Sequence, residues 1–485
     1  MRFGSLSLLA FCLALSVGCD DGFEPDQLLS LSVTPSDSTF FAGDFATFEA
    51  IAEFRSGARV PDSVAWTISD MTIATVAQEI GNQVVVQGHG RGEAYLIGEL
   101  DAEFTDSARI EVVEPGQIRW RTEIGGSDAG LAVDGRGWVY VAALVGSNGE
   151  LTAVTGEGEV AFSTSSGWSF LSPSVTPDGY SYVTSGLGTT GFRTERRSPD
   201  GTLQWTVPFG TFDGGVAVAP DGSVVIVHVI REGEFPTVVS RVSPDGTELW
   251  RDTLAHTPSM DMQSSAPAIA ANGDIYMPWA EELFYPNWLT RLTADGTRVW
   301  TVPGTGWAFG TGPALNEDRV VVTGRAGNLE VFDTTGALLW RRTWDASVQG
   351  VSSPVVDGEG NIYVQSQKAL ISYDGSGGLR WSADSLGCFG CGMQGVAAPT
   401  LLSNAQLVVP CGVSGAVCSV ATADGSLAWR TLMAGVVSGS PAVGVDGTIY
   451  VAVAGELLAL WGKAAPLAEG WPTEGGSMGR LHYQN

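Results

Sequence analysis

Few residues in this chain have the type and spacing to do chemistry. The four histidines (His89, His228, His256, His482) have neither metal-ligand nor acid–base spacing. Gly186-Leu-Gly188-Thr-Thr-Gly191 has the glycine spacing of a dinucleotide cradle. The FRTERRSPDG that follows reads as a hairpin, whereas a pyrophosphate needs a helix N-terminus there. Gly475-Gly-Ser477-Met-Gly479 has the spacing around a nucleophilic serine, but it lies in a tail without strand–turn–helix context. Asp357, Glu359 and Asn361 begin like a calcium loop. Ile362 then stands where glycine is needed, and Lys368 where the last carboxylate belongs. From these patterns no catalytic residue, metal ligand or cofactor is expected.

Two clusters are better candidates. Cys388 and Cys391 (CFGC) and Cys411 and Cys418 (CGVSGAVC) fall in one repeat. In an exported protein they are expected to form two disulfides, and four cysteines allow three pairings. A four-thiolate zinc site is the rival reading. PWAEELFYPNW (278–288) is a proline-bounded aromatic insertion carrying Trp279, Phe284, Tyr285 and Trp288. Aromatic rings on an exposed rim suit a protein or sugar contact. The competing reading folds the rings back onto their own sheet.

Targeting signals and composition limit what these clusters can serve. Arg2, the apolar run Leu6 to Val17 and Gly18-Cys19 resemble a bacterial lipoprotein signal, although Ser16 stands where leucine is usual. Residues 1–18 are therefore expected to be removed and Cys19 lipidated. Lipid chains would then hold the protein at the membrane, the outer membrane being favoured, without a spanning segment. Residues 19–26 form an acidic spacer. The net charge of −28 repels phosphate backbones and argues against nucleic acid as partner. Hydrophobic residues make up 44% of the chain, enough for packed cores.

Two all-β regions must position any site. Residues 27–115 alternate apolar and polar residues in six or seven short runs, which predicts a β-sandwich. From residue 116 a tryptophan-ended strand recurs after a DG or TG turn. The markers are Trp120, Trp205, Trp250, Trp300, Trp340, Trp381 and Trp429, with Phe162 in one place and Trp471 closing the series. Successive gaps are 42, 43, 45, 50, 40, 41, 48 and 42 residues. Four short strands (A to D) per period predict an eight-bladed β-propeller over 116–463, with a seam-covering tail over 464–485. GQIRW (116–120) is expected to complete the last blade as its outer strand D, the tail taking that role in the alternative. The marker tryptophans are read as packing between blades. Strand parity puts the short, uniform A–B and C–D turns on one face. The variable B–C and D–A loops lie on the other, which is the expected binding face.

VAWTISDMTIATV (64–76) and the QGHGRGEAYL that follows resemble bacterial immunoglobulin-like domains. The repeat unit, a DG or TG turn, LxW, then PxVxxDGxIYV, resembles the PQQ-like propeller superfamily over about 350 residues. That resemblance implies either a quinone- and calcium-dependent dehydrogenase or a cofactor-free lipoprotein scaffold of outer-membrane assembly. The dehydrogenases carry two adjacent cysteines near the quinone, and this chain has no adjacent pair. The favoured expectation is a monomeric, envelope-anchored, non-enzymatic scaffold that binds protein or polysaccharide. A quinone-dependent oxidoreductase and a glycan-binding adhesin are the alternatives.

Overall fold

The computed structural model describes residues 26–481, except 127–128, 147, 166–172, 187–191, 209–215, 230–235, 257–265, 281–286, 305–311, 325–326, 345–350, 388–395, 413–414 and 479. The described chain is nearly all β. It divides into two compact units, Met1–Glu114 and Pro115–Asn485.

The first unit has nine strands, more than the apolar runs suggest. They are β1 (Leu28–Thr34), β2 (Asp37–Phe41), β3 (Phe45–Phe54), β4 (Gly57–Arg59), β5 (Ala65–Ile68), β6 (Ala74–Ile80), β7 (Gln83–Gly88), β8 (Gly92–Leu100) and β9 (Phe104–Val113). One sheet runs β1-β3-β7-β6 with β4 on β3, and the other β2-β9-β8-β5. β2 and β9 pair in parallel, so the short β2 was not readable as one arm of a hairpin. Alternate residues of both sheets, including Val33, Phe48, Trp66, Val86, Leu96 and Ile110, share one buried core. The residues most distinctive in sequence are consumed here. Asp70 accepts bonds from the Thr72 amide (2.9 Å) and hydroxyl (2.6 Å), fixing the turn before β6. At Gly90 a Cβ would lie 2.8 Å from the Thr72 carbonyl oxygen, so the chain passes too close for a side chain.

The second unit contains, among the described residues, eight four-stranded antiparallel sheets. Sheets 1 to 7 each take four consecutive strands in the order A-B-C-D. In sheet 8, strands A (Val437–Val443), B (Ile449–Val453) and C (Glu456–Leu460) are completed by Ile118–Glu123, from the start of the unit. First and last strands are thus tied in one sheet, which leaves no open edge at the chain ends.

One contact recurs at every junction between neighbouring sheets. The ring at the third residue of each strand D, whose strand continues beyond the expected end at that ring, lies against the glycine just before strand D of the next sheet. Such glycines have positive φ: Gly296 has φ +86°, and a Cβ there would lie 2.6 Å from Trp250. The pairs are Phe162–Gly201, Trp205–Gly246, Trp250–Gly296, Trp300–Gly336, Trp340–Gly377, Trp381–Gly425, Trp429–Gly116 and Trp120–Gly158. The last two carry the series across sheet 8 and back to sheet 1. The indole N–H is also used. Trp205 donates to the Pro244 carbonyl at 2.8 Å and Trp381 to the Thr422 carbonyl at 2.9 Å. Within its own sheet, Trp205 leans on Tyr182 of strand B and Trp381 on Tyr363. Trp120, Trp205, Trp250, Trp300, Trp340 and Trp381 thus join apolar packing to a satisfied donor, whereas Phe162 supplies packing alone.

The C-terminal segment departs from the expected seam cover. Trp471 bridges to Val356 in strand A of sheet 6 (Val355–Val356), and Pro466 to Leu402 in strand A of sheet 7 (Thr400–Leu402). Trp471 is 1% exposed and shares a buried cluster with residues of sheets 4, 5 and 6. It is not a strand-D marker, so its spacing in sequence was coincidental.

Candidate functional site

The turn face spends its polar groups on itself. In SPDGT turns, the Ser243 hydroxyl donates to Asp245, and the Thr247 amide donates to Ser243 Oγ and Asp245 Oδ1 at 3.0 and 3.1 Å. The same pattern recurs at Asp200 and Asp295. Hydrogen bonds from the turn's own Ser or Thr are the leading cause that holds these carboxyls below the usual range. The repeated Asp is thus turn chemistry.

One cleft of about 440 Å³ interrupts this face, between sheets 4 and 5. Its origin is a shortened turn. In sheets 1, 2 and 4 the A–B turn sets Ala132 opposite Tyr140, Ser174 opposite Tyr182 and Ala268 opposite Tyr276. In sheet 5, Ala314 already pairs with Val321, around Glu317-Asp318. The Tyr140 and Tyr182 hydroxyls donate to the next sheet's turn glycine carbonyls, Gly179 (3.0 Å) and Gly222 (3.1 Å). The Tyr276 hydroxyl finds no such acceptor among the described residues and lines the cleft. Both guanidiniums there are engaged. Arg291 pairs with Asp274 at 2.6 Å and donates to the Thr334 carbonyl, and Arg319 donates to the Gly375 carbonyl.

The loop side is organised differently. B–C connections range from the tight turn after Val453 in sheet 8 to residues 281–286 in sheet 4, and D–A connections reach residues 257–265 and 388–395. Of the expected aromatic rim, Trp279 is a correction. It belongs to strand B (Ile275–Ala280) and is 3% exposed, and its indole donates to Thr290 Oγ1 at 2.9 Å. Its strand continues through Pro278, so this proline does not bound an insertion. Trp288, in strand C (Asn287–Leu292), is half-buried and stacks on Trp279 with ring centres 6.2 Å apart. Phe284 and Tyr285 lie outside the described residues. Beside them Asn287 is 2% exposed, and neither amide atom has a hydrogen-bond partner among the described residues. A buried, unpaired amide is costly and marks a place where polar contact is missing. Nothing in the residue pattern singled out Asn287.

Cys411 and Cys418 are bonded to each other across the B–C turn of sheet 7. Both thiolates are thereby removed from the four-cysteine zinc alternative. Cys388, Cys391 and the expected lipidation site Cys19 lie outside the described residues. A further polar network sits inside sheet 3, towards its B–C loop. His228 Nε2 lies 2.9 Å from Ser240 Oγ, Ser240 donates to Glu248 Oε1 at 3.0 Å, and Arg251 holds Glu248 at 2.6 Å. Desolvation, with Arg251 nearby, pushes the His228 imidazole down to about 4, so it is neutral at physiological pH. His228 and Ser240 are buried while Glu248 and Arg251 reach the surface, and the chain of bonds satisfies a core histidine.

A propeller of four-stranded sheets joined by ring-on-glycine seams defines a class, and comparison with known proteins places it. Its fold is that of PQQ-like propellers. Residues 287–435 match the family model described as outer membrane protein assembly factor BamB. The fold is similar to BamB from Moraxella catarrhalis, with 13% identity, 72% of this chain and 99% of that chain covered, and a TM-score of 0.55. A europium-containing methanol dehydrogenase gives 12% identity, 70% and 84% coverage and a TM-score of 0.53. The Dos1 propeller gives 10%, 71% and 95%, and 0.54. No curated protein matches the chain in sequence.

The dehydrogenase branch of the superfamily implies a quinone and a metal. Among the described residues the donor set does not fit that group. No two cysteines are adjacent in the chain, and no three His, Cys, Asp or Glu side chains converge among the described residues.

Proposed function

We propose that this chain is an envelope-anchored binding scaffold. In this reading an eight-bladed propeller presents its B–C and D–A loops to a protein or polysaccharide of the cell envelope. A bacterial immunoglobulin-like domain precedes the propeller, and lipid on Cys19 holds the chain at the membrane, with the outer membrane favoured. The observation that carries the reading is the contrast between the two kinds of connection. The turns satisfy their own acids, and the ring of the preceding sheet covers their C–D glycines, so little is left to recognise a partner. The loops vary in length, and beside one of the two longest B–C loops sits the Asn287 amide, unpaired among the described residues. The match to an outer-membrane assembly factor supports a scaffold role in the envelope.

The test replaces residues 281–286 and 388–395 with two-residue turns in the full chain expressed in its own envelope. Partner capture is then measured alongside thermal stability. The proposal expects capture to fall at least tenfold while the melting temperature stays within a few degrees. Unchanged capture in both replacements contradicts it. A Cys19→Ser variant should leave the membrane fraction, and retention there overturns the anchor. The second reading, a quinone-dependent oxidoreductase, is favoured by the dehydrogenase-like fold. Saturable cofactor absorbance and dye reduction after adding pyrroloquinoline quinone and calcium would establish it over the scaffold.

A further inference from the structure

Several features lead nowhere beyond the fold. The cleft between sheets 4 and 5 has both its guanidiniums engaged, and His228 is bonded inside its own sheet. The C-terminal segment is different. It belongs to none of the four-stranded sheets, yet it bonds to strand A of six of them.

Strand A is the inner strand of each sheet. Neighbouring first strands are linked directly: Ser174 Oγ donates to the Val216 carbonyl, and Thr400 Oγ1 to the Pro441 carbonyl. An inner edge strand has amides and carbonyls with no fifth strand to pair with. The segment supplies the partners in sequence order. The Ser403 amide donates to Ala465 O (2.9 Å), Leu467 N to Leu401 O (2.9 Å) and Leu401 N to Pro472 O (2.7 Å). Trp471 and Val356 exchange both bonds, at 2.7 and 2.9 Å. Ser440 Oγ donates to the Glu474 carboxylate (2.5 Å), which also pairs with Arg480 at 3.0 Å. Then Val133 N reaches Met478 O (2.9 Å), Ser174 Oγ reaches Arg480 O (2.9 Å) and Val218 N reaches Leu481 O (2.8 Å).

Two further features are those of a ligand. Trp471 is a single buried anchor at 1% exposure, the kind of residue that dominates a binding interface. Gly470 and Gly476 allow the close approach. A Cβ on Gly470 would lie 2.4 Å from Val356 O, and one on Gly476 2.9 Å from the Trp471 ring. The contacts combine main-chain pairing with one side-chain pocket, the mode by which extended peptides add to sheet edges.

We infer that the inner strands of the ring form a binding site for an extended, tryptophan-anchored peptide, and that residues 464–481 occupy it as a ligand in cis. The segment is separable from the ring it binds. While it is in place the same amides cannot pair with another chain, so the axis is closed by the protein itself. This site is independent of the loops proposed to meet the external partner.

The test uses the full chain with a protease recognition site inserted after Lys463, cut after folding. The ring should remain folded after the cut. A labelled peptide of residues 464–485 should rebind it saturably, and the Trp471→Ala peptide should bind at least about 100-fold more weakly, the scale of losing a buried indole. Collapse of the ring on cutting, failure of the peptide to rebind, or equal binding of the two peptides would each overturn the inference. In the uncut chain, Trp471→Ala should expose Arg480, 9% exposed while the tail is docked, to trypsin while the sheets stay protected. A tail that stays protected, or a ring that unfolds with it, refutes the idea as well.

Discussion

The two faces of the propeller are built from the same strands and differ in what their connections are for. On the turn face an Asp folds its own turn and the following glycine receives an indole from the preceding sheet. On the loop face, length, cysteines and aromatics change from sheet to sheet. The contrast teaches that repetition marks structural use. A residue recurring at one place in every sheet is held by the packing, whereas one that appears once is free to meet something else. The aromatic insertion of sheet 4 qualifies the lesson, because Trp279, unique to that sheet, is nonetheless core.

The largest effect should come from breaking a seam. Trp381→Ala removes a buried indole, its bond to Thr422 and its cover on Gly425, and should cost about 3–5 kcal/mol in denaturant unfolding. A loss below about 1 kcal/mol would mean that the rings do not join the sheets.

The next effect is set by pH, on the loop side of sheet 3. His228 titrates near 4 in the folded chain and near 6.5 when unfolded. Between those values the unfolded chain binds more protons. Stability therefore falls as pH drops from about 6.5 towards 4 and levels off below that, by about 3 kcal/mol in all. His228→Gln should flatten this part of the curve, and an unchanged slope would remove His228 as its source.

Opening the Cys411–Cys418 bond by replacing both with Ala should cost about 2–3 kcal/mol, since the closed loop is short. The measurement is the denaturation midpoint under oxidising conditions, and equal midpoints would show that the bond is not formed. The smallest effect belongs to the exposed turn acid. Asp245→Ala should shift stability least and leave partner binding untouched. A loss of binding there would move recognition to the turn face.

Much of the fold was legible because its cause is local and repeated. A DG turn followed by a strand carrying Trp reports a hairpin and its seam together, and the count of strands required a terminal strand to close the last sheet, with 116–120 favoured over the tail. The tail was not legible. GWPTEGG has no strand pattern, and its partners, Val356, Leu401, Val133 and Val218, are distant in sequence and take part through backbone atoms, which leave no trace in residue type. Trp279 was misread because Pro278 normally ends a strand, and here it pairs opposite Leu289 inside one. Asn287 escaped because a buried amide looks like any other asparagine until its partners are sought.

The central claim is that recognition sits on the loop face. The most direct measurement places a photo-crosslinking amino acid, one position at a time, around both faces in living cells. Positions beside the B–C and D–A loops, such as Trp288 and Leu144, should capture a partner, and turn positions such as Asp245, Asp295 and Asp318 should not. Crosslinks confined to the turns, or to the cleft between sheets 4 and 5, would contradict the account.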